Sequence, residues 1–370
     1  MDADLIDQET IPIARKSVIP GEGFFVPDDL EEDRAEAEAA AALEGVGVAV
    51  VADPDADGLA CVALLREAYG EAALIPTGPH EIEDGLEYVA EYGEPDVDLF
   101  VCDLCPDRFE YVEDELTAAL DRAGEVRWFD HHQWNDEVAR RVREAGVDLV
   151  VGDSEEECTA DVLVRSLAYD FDDRFVDLAA VTRDHDLWLR EDPRSDDLAD
   201  YAHWADPEEY VETVLEHGAD LPEEVQEYLE ERRIQKDALI DRAVERATFE
   251  EIGPWTVGVT YGRCSQNEVA EAMREQGADA SVIVKPAGSA SIRGTDAFER
   301  SHKVAGKVNG GGHPKAAGCK PDIYDDMLDF AHHWTTRGAV TKQVILDAFR
   351  DVAREAEGED DDEEGIESER

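Results

Sequence analysis

Along the first half of this chain, unbroken apolar runs alternate with segments whose apolar positions recur every three to four residues. Gly45 to Ala52 (GVGVAVVA) is such a run, as expected for a strand buried on both faces, and Gly58 to Ala68 returns to helical spacing. The pattern predicts a short strand at 73–76, a helix at 83–93 and a strand at 97–102 ending on Asp103. It then predicts a helix near 109–123, a strand at 126–129 ending on Asp130, and a strand at 147–151 before Gly152 and Asp153. Residues 31–44 suit a helix ahead of the first strand, and 158–168 and 173–182 suit helices after the last. Repeated β-α units imply a parallel, doubly wound sheet, whose ligands bind beyond the carboxyl ends of its strands. Those ends carry Asp53, Asp55 and Asp57, then Asp103, then Asp130 with two histidines; Asp153 is a further candidate.

A charged helical stretch over 205–248 reads as a connector. A second α/β unit follows, with a strand at 255–260, a helix at 266–276, strands at 280–285 and 288–293, and a Gly-rich turn at 310–312. The plan is thus an N-terminal helical extension (1–44), a doubly wound domain (45–190), a helical connector (191–248), a smaller α/β C-terminal domain (249–350) and an acidic tail (351–370). The tail, a run of like charges, is expected to be disordered. No repeat of solenoid period is present.

Composition changes how this plan is read. The 370 residues carry 93 Asp+Glu against 34 Lys+Arg, a formal net charge of −59, yet 43% of them are hydrophobic. That is too apolar for a disordered chain, and the acids populate the polar faces of nearly every expected helix. The pattern is that of adaptation to molar salt, where a Debye length of about 3 Å lets an acidic surface accept an anionic substrate. Lack of a basic patch therefore excludes little. The start, MDADLIDQET, lacks the basic and apolar stretches of a signal peptide, and no apolar run approaches the roughly 20 residues of a membrane span. Six scattered cysteines fit a reducing cytoplasm. Cys102-x-x-Cys105 is spaced as half a zinc site without a second pair, and Cys102 suits the strand core.

The carboxylates at the strand ends raise one another's pKa and are costly together unless cations lie among them. Asp and His are hard-to-borderline ligands suited to Mn²⁺ or Mg²⁺. Two such ions at roughly 3.5–4 Å would form a site for in-line displacement at phosphorus. A DxDxD run also arises in acidic loops, and a DxDG after a strand occurs in haloacid-dehalogenase-type phosphatases, which predict neither of the motifs that follow.

Five motifs occur in order: DPDADG at 53–58, Asp103 in VDLFVCD, Asp130-His131-His132, an Asp in AAVTRDHDLW (Asp184 or Asp186), and GGGHxxAAG at 310–318. On these the chain resembles the DHH phosphoesterases over residues 45–325. The first domain would then be the DHH catalytic domain and the second the DHH-associated substrate-binding domain. The resemblance implies that Asp55 and Asp103 hold one metal and that Asp57, Asp103, His131 and the fourth-motif Asp hold another, with Asp103 bridging. It implies that His132 meets the scissile phosphate or protonates the leaving oxygen, and that Asp130 orients a histidine. Gly310, Gly311, Gly312 and His313 would grip a terminal phosphate or nucleotide, as would Arg293, unless it merely pairs with an acid. Many members carry a histidine where this chain has Val51; the RecJ-type branch often lacks it, and Asp53 is expected to take its place as a ligand. The cofactor implied is a pair of divalent cations, Mn²⁺ preferred, with Mg²⁺ the alternative.

The expected function is a RecJ-like exonuclease on single-stranded DNA or a short RNA oligonucleotide, with replication or repair proteins as partners. Bacterial RecJ adds an oligonucleotide-binding barrel where this chain has its acidic tail. The alternatives are a phosphodiesterase of short oligoribonucleotides or cyclic dinucleotides, and a non-catalytic scaffold in a replication assembly. Type II pyrophosphatases share the first domain but lack GGGHxxAAG. His332-His333-Trp334 echoes the DHH motif without its Asp and is expected at the surface or in packing.

Overall fold

The computed structural model describes residues 28–262, 264–285, 289–321 and 339–367, in two compact units that divide between Glu230 and Glu231. In the first unit β1 (Val48–Ala52), β2 (Ala73–Pro76), β3 (Val97–Cys102), β4 (Ala123–Asp130) and β5 (Asp148–Val151) form one parallel sheet in the order β2-β1-β3-β4-β5. Strand β1 is buried throughout because both of its faces are covered. Val48, Val50 and Ala52 pack with α2 (Ala56–Tyr69), α6 (Thr159–Ser166), α7 (Asp173–Asp186), α8 (Arg194–Trp204) and α9 (Pro207–His217). Ala49 and Val51 pack with α1 (Asp28–Leu43), α3 (Ile82–Tyr92), α4 (Glu113–Arg122) and α5 (Asp136–Ala145). Successive side chains of a strand point to opposite faces, so an all-apolar run needs helices on both. In this strand order the direction of winding reverses between β1 and β3, the switch point at which doubly wound sheets bind ligands.

The second unit holds a mixed six-stranded sheet, β10-β11-β9-β8-β7-β6. Its strands are β6 (Thr248–Ile252), β7 (Trp255–Tyr261), β8 (Ala280–Val284), β9 (Ala290–Gly294), β10 (Gly310–Gly312) and β11 (Ala316–Cys319). Of their pairings only β7–β8 is parallel. Its helices are α11 (Gln266–Glu275), α12 (Ser301–Gly306) and α13 (Ala339–Glu367).

Four expectations need correction. The extension over 1–44 is no appendage in its described part, because Ala39 and Leu43 of α1 belong to the first core. The connector expected over 191–248 lies largely inside the first unit: α8, α9 and the first turns of α10 (Glu223–Glu245) bury Leu198, Tyr201, Tyr210, Val211, Val214 and Leu229 in the core that α2 shares. The acidic tail is helical to Glu367, because Ile345, Phe349, Val352 and Ala356 recur at helical spacing on the core and extend the helix into the charged run. The Gly-rich turn is itself the edge strand β10. His332 and His333 lie outside the described residues.

Candidate metal centre

Three neighbouring strands end level. Beyond β1 the Asp53 amide donates to the Cys102 carbonyl (3.4 Å), beyond β3 the Asp103 amide donates to Phe129 (3.1 Å), and the Gly152 amide donates to Asp130 at the end of β4 (2.8 Å). Backbone pairing thus sets Asp53, Asp103 and Asp130 side by side at the carboxyl edge. Helix α2 starts immediately after. A Cβ on Gly58 would lie 2.2 Å from the Asp53 carbonyl oxygen, so only glycine lets the first turn fold back onto the strand end.

Asp55 is the N-cap of α2; its Oδ1 accepts from the Asp57 and Gly58 amides at 2.9 and 3.1 Å. Asp57 turns the other way. Its carboxylate, 1% exposed, accepts from the Thr159 (2.7 Å) and Ala160 (2.9 Å) amides at the start of α6, where the helix dipole favours negative charge. The Thr159 hydroxyl donates to Asp103 Oδ1 at 2.9 Å. Asp103 is buried and left-handed, with φ 60. Sequence reasoning missed Thr159; the helix start there is closed by Asp161, which accepts from the Cys158 amide at 3.3 Å, without the Ser/Thr and Glu/Gln that would mark it in sequence.

The histidines complete the cluster. His131, buried, directs Nε2 to Asp186 Oδ2 (3.2 Å), Asp103 Oδ1 (3.7 Å) and Asp57 Oδ2 (4.0 Å). His132 places Nδ1 2.8 Å from Asp130 Oδ1. The second Asp130 oxygen accepts from the indole N–H of Trp134 (2.6 Å), whose ring packs edge-on against Trp128; sequence reasoning gave Trp134 no role. Two ligand groups emerge that share His131: Asp57, His131 and Asp186, and Asp103, His131 and His132. The two candidates within the fourth motif part ways in their contacts. Asp184 accepts from the Glu191 and Asp192 amides and from the Ser195 hydroxyl, so its carboxylate serves the loop after α7, whereas Asp186 faces His131.

The electrostatics follow from crowding. Burial, then Asp55, push the Asp53 carboxyl up to about 7, with His132 opposing. Burial first, and then neighbouring carboxylates, raise Asp55, Asp103 and Asp186. Burial opposes charge on His132, but the hydrogen bond and charge of Asp130 outweigh it and raise the imidazole to about 9. Carboxylate oxygen and imidazole donors fit a divalent cation of the Mn²⁺ or Mg²⁺ kind. Asp153 stands apart, accepting from the Glu155 amide. Cys102 lies in the strand core, and neither it nor Cys105 belongs to a ligand group among the described residues. A cavity of about 170 Å³ adjoins Asp55, Asp57 and Asp186, bounded further by Thr182, His185 and His203.

In the second unit Arg293 donates to Asn267 Oδ1 (2.7 Å) and to the Ile292 carbonyl (3.2 Å). Burial lowers its pKa, and among the described residues it makes no ion pair. Strand register puts Arg293, Ser291, Gly318 and Gly311 on one face of the sheet. Gly310 and Gly312 are required internally, since their Cβ atoms would lie 2.1 and 2.6 Å from the carbonyls of Gly318 and Ala316; a Cβ on Gly311 would meet nothing. His313 is exposed and its amide donates to Ala316.

No protein-family model matches the chain, and no curated protein matches it in sequence. Solved structures do. RecJ from Thermus thermophilus in complex with Mn²⁺ is 17% identical with a TM-score of 0.55, over 90% of this chain and 56% of that one. Exonuclease RecJ bound to manganese is 17% identical with a TM-score of 0.50, over 83% and 94% of the two chains. A DHH domain from a member of a ribosomal-protein family is 15% identical with a TM-score of 0.51, over 87% and 91%. No helix among the described residues is long and apolar enough to cross a membrane. From its 2-1-3-4-5 parallel sheet to its second, mixed sheet, the chain has the fold of the DHH phosphoesterases.

Proposed function

We propose that this chain is a metal-dependent phosphodiesterase of the DHH kind, acting as a RecJ-like exonuclease on single-stranded nucleic acid. The observation that carries the reading is the convergence of Asp57, Asp103 and Asp186 on His131 Nε2 at the level ends of β1, β3 and β4. Asp53, Asp55, Asp57, Asp103, His131 and Asp186 would hold two divalent cations, Mn²⁺ preferred with Mg²⁺ the alternative; manganese is the ion bound in the two RecJ structures compared above. Such ions, when bound, neutralise phosphoryl charge and lower the pKa of water.

The remaining chemistry belongs to side chains. His132 is hydrogen-bonded to Asp130 through Nδ1, so Nε2 is the atom left to meet the scissile group. In the metal-free protein the hydrogen bond and charge of Asp130 favour the imidazolium, which suits Nε2 to donate a proton to the leaving oxygen. Asp130, itself fixed by Trp134, holds that ring in place. Thr159 and the first amides of α6 position Asp57 and Asp103. In the second unit Arg293, with no carboxylate partner among the described residues, and the open face at Gly311 would hold a phosphate of a bound nucleotide.

The test is Mn²⁺-dependent hydrolysis in molar KCl, compared between wild type and Asp103→Ala. The substrates are a long 5′-labelled single strand, RNAs of two to five nucleotides, cyclic di-AMP and pyrophosphate. Progressive shortening of the strand by wild type, abolished by EDTA and by the substitution, is expected. Equal hydrolysis by both proteins refutes the assignment, and preference for the short or cyclic substrates replaces the exonuclease reading.

A further inference from the structure

The loop that leaves α7, from Leu187 to Arg190, has no part in the reading so far, yet it is the most constrained segment near the metal centre. Trp188 (φ 55) and Arg190 (φ 56) are both left-handed, a conformation that bulky side chains adopt rarely and at a cost. The Leu187 and Trp188 amides donate to the Arg183 and His185 carbonyls, and Asp184 holds the rest of the loop. The Asp184 carbonyl accepts from the Leu189 and Arg190 amides, and its carboxylate accepts from Glu191, Asp192 and Ser195. This conformation contributes nothing to the core, since it leaves Leu189 50% exposed.

What it does produce is a layered group at the surface. The Arg190 guanidinium lies 5.0 Å from the centroid of the Trp188 ring, and His185 meets that ring at 5.3 Å and 70°. Asp196 fastens both, at 2.9 Å to Arg190 and 3.2 Å to His185. His185 is also a wall of the cavity beside Asp55, Asp57 and Asp186, and Trp188 is two residues from Asp186. In that cavity Thr182 presents a buried hydroxyl with no hydrogen-bond partner. At about 170 Å³ the cavity is below the roughly 300–1,000 Å³ of sites that enclose a drug-sized ligand. The cavity has room for a phosphate and is open on one side, so the attached base can rest on what borders its mouth.

We propose that the Trp188–Arg190 layer is a stacking platform for a nucleobase of the strand being cleaved. Bases stack on aromatic rings and on guanidinium planes without regard to sequence. The inference rests on the nucleic-acid reading of the metal centre and narrows it to substrates that carry bases, excluding pyrophosphate and polyphosphate.

The experiment measures binding by fluorescence anisotropy, which needs no turnover. Labelled tetrathymidylate is compared with a tetramer of abasic deoxyribose phosphates, using wild type, Trp188→Ala and Trp188→Phe full-length chains with Ca²⁺ in place of Mn²⁺, which is added only afterwards to test cleavage. Trp188→Ala should weaken tetrathymidylate binding about 5- to 150-fold, leave the abasic tetramer within about two-fold, and be rescued by Trp188→Phe. Equal weakening on both tetramers, or none on tetrathymidylate, overturns the proposal. Wild type that binds the base-bearing tetramer through Trp188 but never cleaves it would refute the hydrolase reading and leave the platform standing.

Discussion

Asp53 is the residue expected to serve where relatives often use a histidine, and Asp53→Asn isolates what its charge costs. Burial and Asp55 raise its folded-state pKa from 3.8 to about 7, so between those values the folded protein binds a proton that the unfolded chain has released. Stability then falls as pH rises through that window. For one group moved by about three pH units the loss reaches about 4 kcal/mol between pH 4 and pH 8. Asparagine keeps the shape and removes the charge. In EDTA the stability difference between Asp53→Asn and wild type should therefore grow in favour of the variant by that amount from pH 4 to pH 8. For a unit of about 200 residues this corresponds to a relative gain of about 10 °C in melting temperature. Saturating Mn²⁺ should shrink or reverse the difference, because a cation replaces the proton and Asp53 then helps to hold it. Differential scanning calorimetry in molar KCl, with and without EDTA, reads all four arms. A difference that does not change with pH would show that Asp53 is not buried among like charges and would remove it from the ligand set.

Three further outcomes follow from particular contacts. Asp184→Ala deprives two amides and a hydroxyl of their acceptor and should cost about 2–4 kcal/mol in denaturant unfolding; Asp186→Asn should leave EDTA-state stability unchanged or higher while weakening Mn²⁺ binding in calorimetric titration. Gly310→Ala should destabilise the second unit, because its Cβ would lie 2.1 Å from the Gly318 carbonyl, whereas Gly311→Ala should fold normally and raise KM if a ligand lies against it; unchanged KM would take β10 out of substrate binding. Trp134→Phe leaves one oxygen of a fully buried carboxylate without its donor and should lower kcat with KM little changed, since His132 loses its fixed support; a change in KM alone would deny Asp130 its positioning role.

The metal-facing edge was legible because it depends on strand ends. An apolar run followed by Asp is visible in one dimension, and parallel pairing then aligns Asp53, Asp103 and Asp130 without further information. The choice between Asp184 and Asp186 was not legible. Both sit in the last turn of α7, and which of them turns inward depends on the loop after it, whose left-handed Trp188 and Arg190 no spacing rule announces. Thr159 was missed because it approaches from a helix about a hundred residues downstream of Asp57. The connector was misjudged for a related reason: acids dominate α8 and α9 so heavily that Tyr201, Tyr210 and Val214 did not read as a core face. In an acidic chain the polar side of a helix carries little information, and the apolar spacing must be weighed alone.

The acid excess also explains why the cluster is left without arginine. Elsewhere in the first unit guanidinium groups meet carboxylates: Arg183 with Asp161, Arg190 with Asp196, and Arg194 with Asp177, Asp192 and Asp220. Each lies on or beside the helices that enclose the centre, yet among the described residues none pairs with Asp55, Asp57 or Asp103, which meet backbone amides, the Thr159 hydroxyl and the imidazoles of His131 and His132. An arginine in that position would relieve the repulsion permanently and occupy the space a cation needs. Without a guanidinium among them, the carboxylates are oriented by amides, a hydroxyl and imidazoles, and protons or divalent cations supply the remaining positive charge. The same arrangement that should make the metal-free protein lose stability as pH rises is therefore what leaves the strand ends open to a divalent cation.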